Sequence, residues 1–296
     1  MATGTTAFYD NTVADVFVPE VWSKEEIVAR ESRLVFANLF DRRFEADVSA
    51  AGDTIHVPSI GNLAARTKDV TAGQGGNVAS TGSITYETIT ETNTDITISR
   101  YIFSAIAINR ATKRQANRDL MSAYAPKMGY ALGLDTDDTC AGLPDDFSNV
   151  AGTLAQELTY DDVLRGIQYL DDADAPQEDR AIVISPAQKA GFMKLDQFVH
   201  GDYGKLNAQA SAQMKADNIG TWMGLPVLCS TNVEGSNAAG HDCTVFQKQA
   251  VALVIQMTPR TEHFYDIDVD ADKVASFELY GTKEMRDDHG VWLKGA

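Results

Sequence analysis

The residues that could carry out chemistry are scattered along this 296-residue chain. The histidines are isolated from one another in sequence: His56, His200, His241, His263 and His289. No G-x-S-x-G, P-loop or dinucleotide-binding pattern accompanies them. His241 stands two residues before Cys243, a spacing that would suit a metal or an activated thiol. A single pair of this kind in a loop predicts neither.

An alternating run of aspartates is the sharpest local pattern. Residues 266–272 read Asp-Ile-Asp-Val-Asp-Ala-Asp, which resembles the start of a calcium loop. Ala271 replaces the turn glycine, however, and Phe277 stands where a bidentate glutamate is required. We predict instead a half-buried strand with Ile267 and Val269 facing inward and the aspartates facing water. We therefore expect no enzyme, no catalytic residue, no metal and no cofactor.

The composition indicates an acidic globular protein. With 25 Lys and Arg against 42 Asp and Glu, the formal net charge is −17, and 44% of the residues are hydrophobic. Proteins hold nucleic acid and anionic membranes mainly through Lys and Arg, so this charge disfavours both as partners. The length is sufficient for a large core in one to three domains.

Cysteine usage and the N-terminal sequence indicate a protein made in a cytoplasm. Cys140, Cys229 and Cys243 are odd in number and lack C-x-x-C spacing, which predicts neither a disulfide framework nor a zinc site. The first residues lack a basic stretch followed by an apolar run, so we expect no secretory signal. The longest apolar run, residues 250–255, is too short to cross a bilayer.

The sequence begins with a predicted arm that contains one helix. Ser23 and Glu26 form a capping box, and Trp22 occupies the first position of a hydrophobic staple. We expect this helix to end near Asn38. Residues 1–44 are therefore predicted to be an N-terminal arm and helix.

An extended β-hairpin is predicted over residues 45–108. Its tip, residues 72–83, is rich in glycine, and isoleucines alternate from Ile96 to Ile108. A two-stranded hairpin with a polar body cannot bury enough apolar surface to be stable alone in water. We therefore expect the hairpin to lie on its own domain or on a second copy of the chain.

The remainder of the chain predicts helices and strands of one mixed α+β domain. Asn109 is a predicted N-cap of a helix through about Cys140, with Pro126 as a kink or restart. Helix starts are also predicted at the Thr159 capping box and at Ser185, which precedes a proline. Short strands are predicted at residues 53–58, 181–184, 226–229, 251–257, 275–280 and 290–293.

The acidic charge is concentrated in one part of the sequence. Residues 135–179 contain 13 Asp or Glu and a single base, Arg165. The hairpin carries the opposite charge at Arg66, Lys68 and Arg100. If the hairpin meets a second copy, we expect these cations to face that acidic surface.

The order of these elements resembles the major capsid proteins of tailed bacteriophages with the Hong Kong 97-type fold. The likeness spans nearly the whole chain. Three stretches carry most of it: Arg180-Ala-Ile-Val-Ile-Ser185-Pro186, Gly220-Thr-Trp222-Met-Gly224-Leu-Pro226-Val227 and Tyr280-Gly281. They correspond to a strand leading into a helix, a turn into the next strand, and the approach to the closing strand.

The resemblance implies an α+β fold with four parts. These would be an N-terminal arm (1–44), an extended loop (45–108), a peripheral domain with a long spine helix (109–150 and 260–278), and an axial domain with a mixed sheet (151–259 and 279–296). It also implies that Arg66, Lys68, Arg100 and Trp22 lie at subunit interfaces.

In functional terms the resemblance implies a capsid subunit that forms hexamers and pentamers around double-stranded DNA. Implied partners are other copies of the chain, a portal protein and a cement protein, with DNA enclosed but not specifically bound. The short segment before the hairpin suggests a separate scaffolding protein. The implied location is the virion, after assembly in the host cytoplasm.

Two other classes remain open at this stage. A cytoplasmic enzyme would need a pocket with a perturbed acid or base, and the sequence nominates none. A calcium-binding surface-layer protein could use the aspartates of residues 266–272, but the absence of a predicted signal peptide disfavours it.

Overall fold

A computed structural model describes residues 34–48, 52–61, 63–65, 86–88, 91–115, 120–195, 218–236 and 238–295. All of them belong to one unit, Ser32–Ala296. The capping box at Ser23 and the glycine-rich tip at 72–83 lie outside the described residues. Within the described residues, no helix combines the length and the apolar character needed to cross a membrane.

The described residues form α-helices and β-strands in mixed order, with a long run of strands towards the C-terminus. The helices are α1 (Phe36–Leu39), α2 (Glu45–Val48), α3 (Arg110–Gln115), α4 (Leu120–Ala141), α5 (Tyr160–Asp172) and α6 (Pro186–Phe192). The strands are β1 (Thr54–Ile60), β2 (Glu91–Thr97), β3 (Arg100–Asn109), β4 (Val150–Gly152), β5 (Arg180–Ile184), β6 (Asn218–Trp222), β7 (Leu225–Cys229), β8 (Gly235–Ser236), β9 (Gly240–Gln247), β10 (Val251–Asp266), β11 (Ala271–Glu284) and β12 (Gly290–Gly295).

Strands β1 and β2 form the antiparallel base of the hairpin. They pair from Thr54 opposite Thr97 to Ile60 opposite Glu91. Ile96 is fully buried against Ala252 and Val254 of β10. The hairpin base therefore rests on its own subunit.

The predicted extent of the hairpin, residues 45–108, is wrong at its C-terminal side. Strand β3 pairs with β11 and not with β1. The chain passes from one sheet to another at Ile98 and Ser99, while the isoleucines from Ile96 to Ile108 keep the same parity on both sides of this point. Alternation fixes which face of a strand is buried but does not identify its pairing partner.

A three-stranded antiparallel sheet of order β10-β11-β3 lies beside the long helix α4. Strands β3 and β11 pair from Arg100 opposite Tyr280 to Asn109 opposite Ala271. The N–H of Ala111 donates to Asn109 Oδ1 at 2.8 Å, which confirms the predicted start of a helix at this position. Pro126 lies inside α4.

The largest sheet is mixed, with the strand order β4-β12-β9-β5-β7-β6 and β8 beside β9. All five residues of β5 are buried, and α5 packs across β12, β4 and β9. The predicted helix starts are confirmed: Thr159 and Asp162 form a reciprocal capping box, and Ser185 accepts the N–H of Gln188. The prediction of an α+β architecture is thus confirmed.

The prediction of a half-buried strand over residues 266–272 is wrong. Strand β10 ends at Asp266 and β11 begins at Ala271, so the residues between them form a turn. The N–H of Asp268 donates to Asp266 Oδ1 at 3.0 Å, and Asp270 has a left-handed φ of 47°. Aspartates favour such turns because their side chains bond nearby backbone groups. In this sequence that local preference outweighs the apolar alternation.

Helix α1 ends at Leu39, one residue beyond the predicted end near Asn38, but the predicted helix is not continuous up to that point. Leu34 and Val35 lie outside any helix, and α1 begins separately at Phe36. The N–H of Ala37 donates to Asp137 Oδ1 of α4 at 3.1 Å. The start of α1 is thus capped by a side chain distant in sequence, and a local sequence pattern cannot predict a cap of this kind.

Candidate subunit-interface surfaces

The thiols of Cys140 and Cys243 are not placed to act as nucleophiles. Cys140 and Cys243 are completely buried. Burial raises the pKa of Cys243 to about 12, and it also raises the pKa of Cys140. Because the thiolate is the reactive form, thiols in these environments are inert.

The described histidines do not form a reaction centre. His56 Nδ1 lies 2.6 Å from Asp95 Oδ1 on the hairpin surface, where both side chains are at least half exposed. Asn93 donates to the same carboxylate oxygen. Among the described residues, no group of three or more His, Cys, Asp or Glu side chains could hold a metal ion. The arrangement at His56 is a hydrogen-bonded surface cluster with Asp95 and Asn93.

Of the interface residues named from the sequence, the structure places only Arg100. Trp22, Arg66 and Lys68 lie outside the described residues. Arg100 donates through Nη2 to Thr139 Oγ1 of α4 at 2.6 Å. Thr139 is also 2.9 Å from the hydroxyl of Tyr280. Arg100 therefore joins the three-stranded sheet to α4 within one subunit.

The outer part of the hairpin exposes apolar side chains. Leu63 is 68% exposed and Tyr86 is 87% exposed. The N–H of Ala64 donates to Glu87 Oε2 at 3.1 Å, so the two arms remain in contact beyond the β1–β2 pairing. Exposed apolar groups on an extended arm are typical of surfaces that a partner covers.

A second exposed apolar surface lies on the three-stranded sheet, on the face opposite α4. We call Tyr101, Phe103 and Phe277 the aromatic face. The rings of Tyr101 and Phe277 stack at 5.8 Å, and Phe103 is 6.2 Å from Phe277. Tyr101 and Phe103 are 58% and 67% exposed. This surface was not predicted from the sequence, although β3 is apolar at both parities from Tyr101 to Phe103, which is typical of a strand covered on two faces.

The acidic surface predicted at residues 135–179 includes an open cleft beside α4. The cleft has a volume of about 720 Å³ and is lined by Asp135, Asp138, Glu234 and uncharged neighbours. Burial and the nearby carboxylates of Asp145, Asp242 and Asp138 raise the pKa of Glu234. The carboxylates in this cleft therefore repel one another, and a cation from a partner would reduce that repulsion.

Solved phage structures share this architecture over almost the full chain. No family model and no curated protein matches the sequence. A chain from Mycobacterium phage Che8 is 22% identical with a TM-score of 0.77, covering 98% of this chain and 99% of that chain. The capsid structure of cyanophage P-SCSP1u is 18% identical with a TM-score of 0.73, covering 100% and 99%. The mature capsid of bacteriophage PhiM1 is 13% identical with a TM-score of 0.69, covering 94% and 91%.

Each comparison covers nearly all of this chain and nearly all of the phage chain. The similarity therefore concerns the whole architecture and not a shared subdomain. The resemblance to the Hong Kong 97-type major capsid proteins is therefore confirmed at the level of the fold. The chain has the α+β fold of phage capsid structures.

Proposed function

We propose that this chain is a major capsid protein whose copies assemble as hexamers and pentamers into a closed icosahedral shell around double-stranded DNA. The observation that carries the proposal is the end-to-end likeness to phage capsid structures, including the cyanophage P-SCSP1u capsid. The described thiols and histidines form no reaction centre, which is consistent with a structural role. The proposed location is the virion, after assembly in the host cytoplasm.

Within this proposal the chain is divided as the sequence suggested, with one revision. The arm is 1–44, and the hairpin now ends near Thr97. The peripheral domain then comprises β3 with 109–150 and 260–278. The axial domain comprises 151–259 and 279–296. The continuous pairing of β3 with β11 supports moving β3 into the peripheral domain.

The hairpin is proposed to lie over a neighbouring copy. Its base is anchored by Ile96 in its own subunit, while Leu63 and Tyr86 remain exposed further out. Arg66 and Lys68 are proposed to meet the acidic surface of the neighbour, together with Trp22 at the interface. Arg100 is proposed to act at the same interface through its exposed guanidinium edge. Opposite charges at such a contact fix orientation more than they add affinity.

The proposed partners follow from the same function. They are other copies of the chain, a separate scaffolding protein, a portal protein and a cement protein. The packaged DNA is enclosed without specific binding, because a net charge of −17 repels phosphate.

Electron microscopy of the purified protein tests the proposed function. Expression with a scaffolding protein should give closed shells with hexameric and pentameric units. Discrete small oligomers with an enzymatic activity would contradict the proposal.

A hairpin variant tests the role of that element separately. Replacing residues 70–83 with a short turn should leave the circular dichroism spectrum unchanged but prevent normal shells. A matched control keeps the length and composition of residues 70–83 and only shuffles their order, and it should still assemble. Normal shells from the shortened chain would show that the hairpin is not an assembly arm.

A further inference from the structure

The turn between β10 and β11 presents apolar side chains to solvent. Ile267 is 79% exposed and Val269 is 57% exposed. Turn positions normally carry Gly, Asn, Asp, Ser or Pro, so two branched aliphatic residues there are unusual. In the isolated subunit they contribute nothing to its core.

This turn is held in one conformation by several contacts. Lys273 Nζ lies 2.6 Å from Asp266 Oδ2, and the hydroxyl of Tyr265 donates to Asp270 Oδ1 at 2.7 Å. The N–H of Arg110 donates to the carbonyl of Asp270 at 3.1 Å, and its guanidinium lies over the Tyr265 ring. A surface whose geometry is fixed in advance loses little conformational entropy when a partner covers it.

Charge restricts which surface can cover the turn. Asp266, Asp268, Asp270 and Asp272 give it a negative character, only partly balanced by Lys273 and Arg110. Two such turns would repel each other, and so would a turn and the acidic surface at residues 135–179. The complementary surface must be apolar and must not be acidic.

The aromatic face meets both requirements. Arg260 lies directly opposite Phe277 in the sheet, and its side chain is 74% exposed. Glu262, 3.6 Å from Arg260, leaves this face close to neutral on a chain that is strongly acidic elsewhere. The hairpin, with its cations Arg66 and Lys68, suits the acidic surface instead.

We propose that Ile267 and Val269 of one copy pack on the aromatic face of a second copy, with the acidic turn beside Arg260 of that copy. This inference rests on the proposed assembly of the chain into shells. The contact joins two different surfaces, so repetition of it propagates from copy to copy and can close a ring.

One chain cannot make this contact with itself. Phe103 lies opposite Phe277, six residues along β11 from the end of the strand at Ala271. At the rise of a β-strand, Phe103 and the turn are about 20 Å apart. A disulfide needs Cα atoms within about 7 Å, so a cross-link between these positions must be intermolecular.

Oxidative cross-linking in assembled particles tests the contact. The double variant Ile267→Cys, Phe103→Cys should give a ladder of disulfide-linked species on a non-reducing gel, in particles but not in dispersed subunits. Each single variant and the control pair Ile267→Cys, Leu154→Cys should give none. Dimers from Ile267→Cys alone would show that the turns meet each other, and would overturn the proposal. Cross-linking only of Tyr86→Cys with Phe103→Cys would overturn it too, because the hairpin would then cover the aromatic face.

Hydroxyl-radical footprinting of the unmodified protein is a second test of the contact, which can be used if the cysteine variants do not assemble. Oxidation of Tyr101, Phe103 and Ile267 should fall several-fold in particles relative to dispersed subunits. Protection of only one of the two surfaces, or of neither, would overturn the contact. Failure of the proposed function is recognised separately, by the absence of particles in electron microscopy.

Discussion

Asp137 is the residue that ties α1, in the last part of segment 1–44, to the long helix α4. Its carboxylate accepts the N–H of Ala37 at 3.1 Å and the amide of Asn232 at 2.7 Å, and the residue is completely buried. Burial raises the pKa of Asp137, while these hydrogen bonds oppose that rise. The contact joins α1, α4 and the loop before β8.

We expect Asp137→Ala to destabilise the subunit by about 2 kcal/mol, because buried donors lose their acceptor. Urea unfolding followed by circular dichroism measures the change. Asp138→Ala on the exposed side of the same helix is the matched control and should change stability by less than about 0.5 kcal/mol. Equal effects of the two substitutions would show that the buried contact is energetically unimportant.

Glu284 and Asp287 form a hydrogen-bonded pair of carboxyl groups at the end of β11. Burial and the Asp287 carboxylate raise the pKa of Glu284 to about 7. Burial alone would raise the pKa of Asp287, but hydrogen bonds from Ser148 and from Glu284 lower it instead. The pair therefore retains one proton below about pH 7 and loses it as the pH rises further.

A folded-state pKa above the unfolded value of 4.5 makes the stabilising contribution of Glu284 complete below pH 4.5 and lost as pH rises through 7. Glu284→Gln should remove this loss, so that the variant exceeds the parent by about 1 kcal/mol at pH 8 after solvent screening is allowed for. Melting temperature measured from pH 5 to pH 8 checks the slope. Glu262→Gln, an exposed carboxylate in the same sheet, should leave the slope unchanged.

Single residues are predictable from the sequence when their role is local. Thr159, Ser185 and Asn109 were predicted as caps because a capping side chain bonds to backbone two or three residues away. The capping role of Asp137 was not predicted, because its partner Ala37 is a hundred positions away in the sequence. Tertiary acceptors of that kind leave no periodic signal in one sequence.

At the scale of elements, the hairpin β6–β7 carries a strained turn. Trp222 pairs with Leu225 across a two-residue loop in which Met223 and Gly224 have φ of 49° and 87°. Both positions need left-handed backbone, which glycine and asparagine adopt easily and methionine does not.

Met223→Asn should therefore stabilise the subunit by about 0.5 to 1 kcal/mol. The side chain of Met223 is 55% exposed, so little packing is lost. Thermal unfolding measures the gain. Met193→Asn, at a position with right-handed backbone and 37% exposure, should give no gain. A loss of stability in Met223→Asn would indicate that the methionine side chain packs more strongly than its exposure suggests.

Most strands and capped helices were predictable because their apolar periodicity and end signals are local. The pairing of β3 was not, since Ile96 to Ile108 alternate identically whether one sheet or two is formed. The turn after Asp266 was not predicted for a different reason. Ile267 and Val269 give the apolar alternation of a strand, while the aspartates beside them favour a turn. Both errors concern surfaces that we propose other copies contact.

At the scale of the whole molecule, charge should control assembly in two opposing ways. Copies with a net charge of −17 repel each other, and added salt screens that repulsion. The proposed hairpin contact at Lys68 is attractive, and salt screens it as well. A single substitution separates the two effects.

Lys68→Glu should slow assembly strongly at about 0.05 M salt and only weakly near 1 M, where the Debye length is about 3 Å. Light scattering during assembly follows the rate. Lys194→Glu makes the same change in net charge away from the hairpin, at a position where Lys194 pairs with Glu157, and should reproduce only the general repulsion. Identical salt profiles for the two variants would exclude a specific hairpin contact.

The position of β12 within the mixed sheet has a consequence for biosynthesis. Strand β4, at residues 150–152, pairs in the sheet with Trp292, Leu293 and Lys294. A ribosome that adds about 5 to 20 residues per second needs roughly 7 to 28 seconds to make the intervening chain. Throughout that interval β4 lacks its partner strand, and once β9 has been made it also lacks β12 beside it. A nascent subunit therefore cannot complete this sheet, or the surfaces it supports, until the residues of β12 have left the exit tunnel.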